Sequence, residues 1–301
     1  MAAKDKKNEV QPKLLQLGPV NVQTGKETPS RMAILIWGAA TCGKTTFAAT
    51  APGRKLWLSF GDNEHVSVAN RDDVLVANLS DMHYRELFKH AQSENPFNLD
   101  TFLTENEDVE TVVVDSATAI EYKALQKAVG DGIGAGRGFT PTMEAPGISA
   151  YGGRNAILLE VLTGLLRVTA KHNVHIIITA HEADPIMTQA GNAEVIDYIT
   201  IMLGGKLINN TTWRLSEVWF MSQETTGNRE RRLAVRPTRK RKPMKSRMFD
   251  LRGDAEFVVA YDNEKPDDAA GQMTIADWYY DWIDNGKMRI PVPKTPEKKG
   301  K

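Results

Sequence analysis

The sequence predicts an α/β fold, a mainly parallel twisted sheet with helices on both faces and an antiparallel hairpin at one edge. Three observations predict it. Short runs are apolar at nearly every position, as in "MAILIW" (32–37), "TVVVD" (111–115) and "VHIIITA" (174–180), which is what strands buried on both faces require. Stretches of helical spacing separate them, as in 117–129, and that alternation builds parallel crossovers. A glycine-bearing turn, "GAATCGKTT" (38–46), joins the first of these strands to a helix.

Taken in order, residues 1–30 are polar and without periodicity and read as a flexible arm. The core spans 31–262. After the first strand, "KTTFAAT" opens a helix that stops near Pro52 and Gly53, and "KLWLSF" (55–60) and "DVLVAN" (73–78) supply two further strands. Helical spacing covers 81–92, 117–129 and 154–172. "EVWFMSQ" (217–223) and "RRLAVRP" (231–237) form the edge hairpin. Two segments break the pattern: 130–153 is loaded with Gly and Pro, and 182–205 is weakly patterned. Both are expected to be long loops, and loops of that length in a compact domain are functional or disordered. Residues 263–301 hold an amphipathic helix capped at Thr274 and stopped at Gly286, then a Pro/Lys tail.

Hydrophobic residues make up 41% and charged residues 25%, so the chain reads as an ordinary globular protein. No apolar run is long enough to cross a bilayer, and "MAAKDKKNEV" lacks a secretory apolar core. The single cysteine, Cys42, excludes an internal disulfide and suits a reducing cytoplasm. The 38 basic and 38 acidic residues cancel but are segregated. No Lys or Arg lies between Lys89 and Lys123, whereas "RERRLAVRPTRKRKPMKSR" (229–247) carries Glu230 as its one acid. Such a run is either a solvated surface hairpin or a contact for a polyanion or nucleotide.

Gly38, Gly43, Lys44 and Thr45 match G-x-x-x-x-G-K-[ST] between a predicted strand and a predicted helix, the context that gives this motif its meaning. Small residues let the backbone N–H groups of Gly38, Ala39, Ala40, Thr41, Cys42, Gly43, Lys44, Thr45 and Thr46 turn toward a phosphate. Lys44 reaches the β- and γ-phosphates, and the Thr45 hydroxyl is a ligand for Mg²⁺. The expected ligands are therefore ATP and Mg²⁺. "TVVVDSATAI" supplies the matching carboxylate, because a buried strand ends in Asp115, the second residue expected to hold the metal.

"VVVDSATA" also resembles the second nucleotide motif of RecA/RadA-type recombinases, and the order of elements over about 31–260 resembles the RecA-like core of phage nucleotide-binding ATPases. The resemblance implies a carboxylate after the second core strand that orients the attacking water. "LWLSFGDNEH" offers two, Asp62 and Glu64. It implies a polar γ-phosphate sensor at the end of "IIITAHEAD", where His181 stands beside Glu182. It places DNA-contacting loops at 130–153, with Arg137, Arg154, Phe139 and Tyr151, and at 182–205, where Glu182, Asp184, Glu194 and Asp197 precede Lys206. The second loop is acidic, which shifts DNA contact toward the arm and the basic run. Lys245 and Arg247 in "RKPMKSRMF" resemble the K-x-R pair that related ATPases insert into a neighbour's site, which implies a ring or filament.

The expected function is an ATPase acting on single-stranded DNA in recombination or annealing, phage-encoded and working in the bacterial host's cytoplasm. A single-strand-binding protein is a compatible further partner. A ring helicase or translocase, a small-molecule kinase and a nucleotide-dependent protein scaffold are the alternatives, since fold alone does not separate them.

Overall fold

Val112, Val113 and Val114 show how the sheet is made. Three consecutive β-branched residues are fully buried, Val113 against one face of the sheet and its two neighbours against the other. The computed structural model describes residues 15–17, 20–22, 30–136, 138–190, 193–204, 207–223, 231–238, 240–250, 252, 256–259 and 274–293. Contacts divide the chain into Met1–Ser30 and Arg31–Lys301. In the first unit, β1 (Leu15–Leu17) pairs antiparallel with β2 (Val20–Val22), within the segment read as a flexible arm.

The second unit carries an eight-stranded sheet. Its strands are β3 (Ala33–Gly38), β4 (Arg54–Ser59), β5 (Val74–Asn78), β6 (Val109–Asp115), β7 (His175–His181), β10 (Glu217–Gln223), β11 (Arg231–Ala234) and β12 (Glu256–Val259). The order is β12-β11-β10-β3-β7-β6-β4-β5. Pairing from β10 through β5 is parallel throughout, and β11 and β12 add antiparallel at one edge. The expected hairpin exists, but β10 also pairs in parallel with β3, and β12 is the strand at the edge.

One face of the sheet is covered by α2 (Tyr84–Ala91), α3 (Leu99–Glu105), α4 (Ala117–Gly130), α5 (Gly147–Lys171) and α6 (Leu207–Thr212), packed on Leu35, Trp37, Val112, Val114, Ile176 and Ile178. The other is covered by α1 (Lys44–Ala48) and α7 (Ile275–Asp284), packed on Ile34, Ile36, Trp57, Val113, Ile177 and Trp219. Trp278 of α7 meets Phe47, Trp219, Phe249 and Phe257 with ring centroids 5.3–5.8 Å apart. The C-terminal helix is thereby built into the same unit as the sheet. It begins at the expected cap, where the Thr274 hydroxyl accepts from the Asp277 N–H at 3.0 Å. Among the described residues no helix is long and apolar enough to cross a membrane.

Two expected loops are shorter than the sequence suggests. α5 starts at Gly147, not near 154, so its first turns hold Gly152 and Gly153. A Cβ on Gly153 would stand 2.7 Å from Ile133, so the glycine serves close packing there rather than a turn. Segment 182–205 contains a second hairpin, β8 (Ile186–Ala190) antiparallel to β9 (Ala193–Tyr198). The tail beyond 293, Arg137, Lys206, Arg229, Glu230 and Arg239 lie outside the described residues.

His175 opens β7 deep between the sheet and α7. Its Nδ1 accepts from the Met32 N–H at 3.0 Å, and its ring packs edge-on to Tyr279 at 4.5 Å. Burial, with the Arg31 guanidinium as the lesser cause, pushes its pKa down to about 4. A histidine depressed in the folded state binds fewer protons than in the unfolded chain, so its contribution is complete above pH 6.5 and is lost as pH falls toward 4. The expected loss over that window is about 3 kcal/mol. Urea unfolding at a series of pH values checks it, and His175→Gln should flatten that part of the profile.

Candidate nucleotide site

The site forms where the C-terminal ends of β3, β6 and β7 converge. Gly38 ends β3, and a Cβ there would fall 1.9 Å from the Met221 carbonyl oxygen of β10, so only glycine lets the chain turn at this point. The loop then runs to Gly43, which is left-handed with φ 97°, and α1 begins at Lys44. Lys44 is 6% exposed. Its ammonium donates to the Gly38 carbonyl at 3.0 Å and the Ala39 carbonyl at 2.6 Å, and lies 3.9 Å from Cys42 Sγ. The Cys42 thiol is buried, and burial pushes its pKa up. It packs with Phe47 in the core rather than serving as a thiolate.

Asp115 ends β6, which is separated from β3 by β7. Its carboxylate is 3% exposed. One oxygen accepts from the Thr45 hydroxyl at 3.0 Å, and the other accepts a short hydrogen bond from the Thr179 hydroxyl of β7. Burial first, and the neighbouring Glu64 charge second, push its pKa up to about 6, against the two hydroxyls and Lys44. A buried carboxylate crowded by a second acid is a place where a divalent cation relieves charge. Mg²⁺ is ordinarily held by one or two protein oxygens together with phosphate oxygens, and Thr45 and Asp115 offer that donor set.

Glu64 stands on a 3₁₀ turn, Glu64–Val68, just beyond β4. One carboxylate oxygen accepts from the Gly61 N–H at 3.1 Å and the other from the Ser116 hydroxyl at 3.1 Å. His181 Nε2 lies 3.8 Å from that second oxygen. His181 ends β7 directly beside Gly38, and its N–H donates to the Thr118 hydroxyl at 3.0 Å. A cavity of about 440 Å³ is lined by Thr41, Gly43, Lys44, Thr45, Thr46, Glu64, Asp115 and His181, with Asn63, Ser67 and Arg231 completing it. A profile of the family described as AAA domain matches residues 30–248. The chain belongs to the AAA-domain family of P-loop ATPases. A comparison with curated proteins finds no match.

The AAA domain brings most of the expected residues together and leaves three apart. Asp62 is exposed and does not line the cavity, so of the two acids after β4 it is Glu64 that reaches it. Lys245 bridges to Val218 beside the lower half of β10. Its ammonium donates to the Trp213 and Leu215 carbonyls at 3.3 and 2.6 Å, at the opposite end of β10 from the phosphate loop. Arg247 is exposed, its N–H donating at 2.8 Å to the buried Glu217. The basic run is thus not one solvated hairpin: Arg241 pairs with Glu256 and stacks 4.8 Å over Phe220, while Arg231 lines the cavity.

Sequence reasoning missed Thr179, Ser116 and Gly61 as partners of the two acids. Thr179 left one signal, a hydroxyl inside an otherwise apolar strand. Thr179→Val removes the donor to a buried carboxylate, and a bond of that kind contributes about 1.5–3 kcal/mol. Mg²⁺-dependent nucleotide binding, measured by titration calorimetry with and without EDTA, should weaken about tenfold or more.

Proposed function

We propose that this AAA domain hydrolyses ATP and acts on single-stranded DNA, as a RecA-like ATPase of the phage recombination and annealing type. The observation that carries the hydrolytic part is the Glu64 carboxylate, held by Gly61 and Ser116 at the rim of the cavity that also contains Lys44, Thr45 and Asp115. Those two hydrogen bonds point an acid into the space beside the phosphate loop, which is what orienting a water for in-line attack requires. Lys44 exchanges its loop carbonyls for phosphate oxygens. Thr45 and Asp115 would hold Mg²⁺, which would supply further neutralisation of the phosphates. His181, within 3.8 Å of Glu64 and at the base of the β8–β9 hairpin, is placed to register the state of the nucleotide and pass it to that hairpin.

The DNA part rests on exposed aromatic side chains near the start of α5. Phe139 and Tyr151 are each 42% exposed, and a flat exposed ring is a stacking platform for an unpaired base. Arg154, expected as a phosphate contact, is instead ion-paired with Glu121 at 3.0 Å and lies over the Tyr151 ring at 4.9 Å, so it positions the aromatic. Assembly belongs to the same reading: with Lys245 held by carbonyls, Arg247 is the member of the K-x-R pair that can extend into a neighbour's site in a ring or filament. A second reading has its own observation. Ile186, Met187, Val195 and Ile196 are exposed on the β8–β9 hairpin, an apolar surface suited to a protein partner and hence to a nucleotide-dependent scaffold.

Hydrolysis measured with and without single-stranded DNA tests the proposal. The native chain should hydrolyse ATP faster with DNA, Lys44→Ala should lose nucleotide binding, and Glu64→Gln should keep binding while losing about 10²–10⁴-fold in kcat. Hydrolysis indifferent to DNA removes the DNA part and favours the scaffold reading.

A further inference from the structure

Arg231 starts β11 opposite Gln223, two residues beyond Met221 on β10. Met221 is the residue whose carbonyl approaches Gly38, so the start of β11 lies at the phosphate-loop edge of the sheet. The face is set by strand alternation. Leu233 is fully buried in the same core cluster as Cys42 and Phe47, on the side covered by α1. Arg231, two residues earlier, projects from that face. One pleat nearer the loop, the core gives way to the cavity, and Arg231 lines it together with Thr41, Lys44 and Thr45. No other member of the basic run lines that cavity among the described residues.

We propose that Arg231 is a cis-acting cation of the phosphate cavity, so that each subunit supplies both Lys44 and a guanidinium to the polyphosphate of its own nucleotide. The inference rests on the nucleotide reading of the site. A planar guanidinium presents paired donors that match two phosphate oxygens, which a point charge such as Lys44 does not. The cavity sets the two carboxylates, Glu64 and Asp115, against Lys44 and Arg231. A polyphosphate brings more negative charge than Lys44 alone offsets, and a second cation on the same chain answers it without a neighbour. A cation of this kind is a large term in phosphoryl transfer, on the order of 10³–10⁵ in rate where it has been isolated.

The test uses the full chain with Mg²⁺, a fluorescent ATP analogue for binding and phosphate release for turnover. Lys44→Ala reports on the nucleotide reading itself. Arg231→Ala and the longer Arg231→Gln, compared at equal folded fraction by urea unfolding, should weaken analogue binding about tenfold and lower kcat/KM about a hundredfold or more, with Arg231→Lys between them and the parent. Equimolar mixing of Lys44→Ala with Arg231→Ala subunits should restore no activity, because each site still lacks one of its own cations. Parent-like binding and turnover in Arg231→Gln overturn the proposal, and so does activity restored by mixing, which would place Arg231 in a neighbour's site. If Lys44→Ala binds the analogue as the parent does, the nucleotide reading fails and takes Arg231 with it; if only the Arg231 variants are unaffected, the nucleotide reading stands without it.

Discussion

The arrangement depends on a carboxylate that is uncomfortable where it is. Asp115 is buried, faces Glu64, and has a pKa near 6. Desolvation disfavours its charge, and the fold answers with two hydroxyls from two different elements, Thr45 of α1 and Thr179 of β7. Those hydrogen bonds tie the start of α1, β6 and the strand between β3 and β6 at one point. The order of the sheet makes this possible, because β7 lies between β3 and β6 and brings the Thr179 hydroxyl to Asp115. A group whose charge is held against the environment is poised for a cation, which is how strain of this sort becomes function.

From that point the coupling spreads through backbone contacts. His181 ends β7 beside Gly38, and the Glu182 N–H donates to the Gly38 carbonyl, the same oxygen that accepts from Lys44. Glu182 is itself half-buried, with its pKa raised by burial and lowered in turn by Lys44 and Arg241. The Ala183 N–H continues to Thr200, and Ile199 exchanges hydrogen bonds with Lys240 and Lys242, so the β8–β9 hairpin is anchored at both ends of its base. A second clasp joins this region to α4 and α5: Glu121 accepts from the Gly204 N–H at 2.8 Å while pairing with Arg154. What changes at the Lys44 ammonium therefore has a short covalent and hydrogen-bonded route to the hairpin and to the aromatics beside Arg154.

Much of this was legible in the sequence, for identifiable reasons. β3, β6 and β7 are built around short, almost wholly apolar runs, Ile34–Trp37, Val112–Val114 and Ile176–Ile178, so burial on both faces left one reading. The phosphate loop was legible because each residue type in it answers a backbone or charge requirement. The choice between Asp62 and Glu64 was not, since it depends on a turn whose course is decided by Asn63 in a left-handed conformation, with φ 57°. The start of α5 was hidden because Gly152 and Gly153 look like punctuation, and only the approach of Ile133 shows that Gly153 is a packing residue. The β8–β9 hairpin was hidden by its exposure: Ile186, Met187, Val195 and Ile196 do not bury a face, so the alternation that betrays a strand is weak.

The basic run shows most clearly what composition conceals. Ten cations within nineteen residues suggest one solvated surface with one role. Folding gives its members unrelated roles. Arg241 packs on an aromatic and pairs with Glu256, Lys245 closes off the carbonyls ahead of β10, and Glu217 draws in the Arg247 and Met248 N–H groups from beneath the sheet. Among the described residues of the run, Arg231, placed by the pairing of β11 with β10, is the one that lines the phosphate cavity. The register of one short antiparallel strand thus decides which described charge of the run lines the cavity. Register is a long-range property, set by Leu233 burying among Trp219, Phe47 and Phe257, and a count of charges along the chain carries no trace of it.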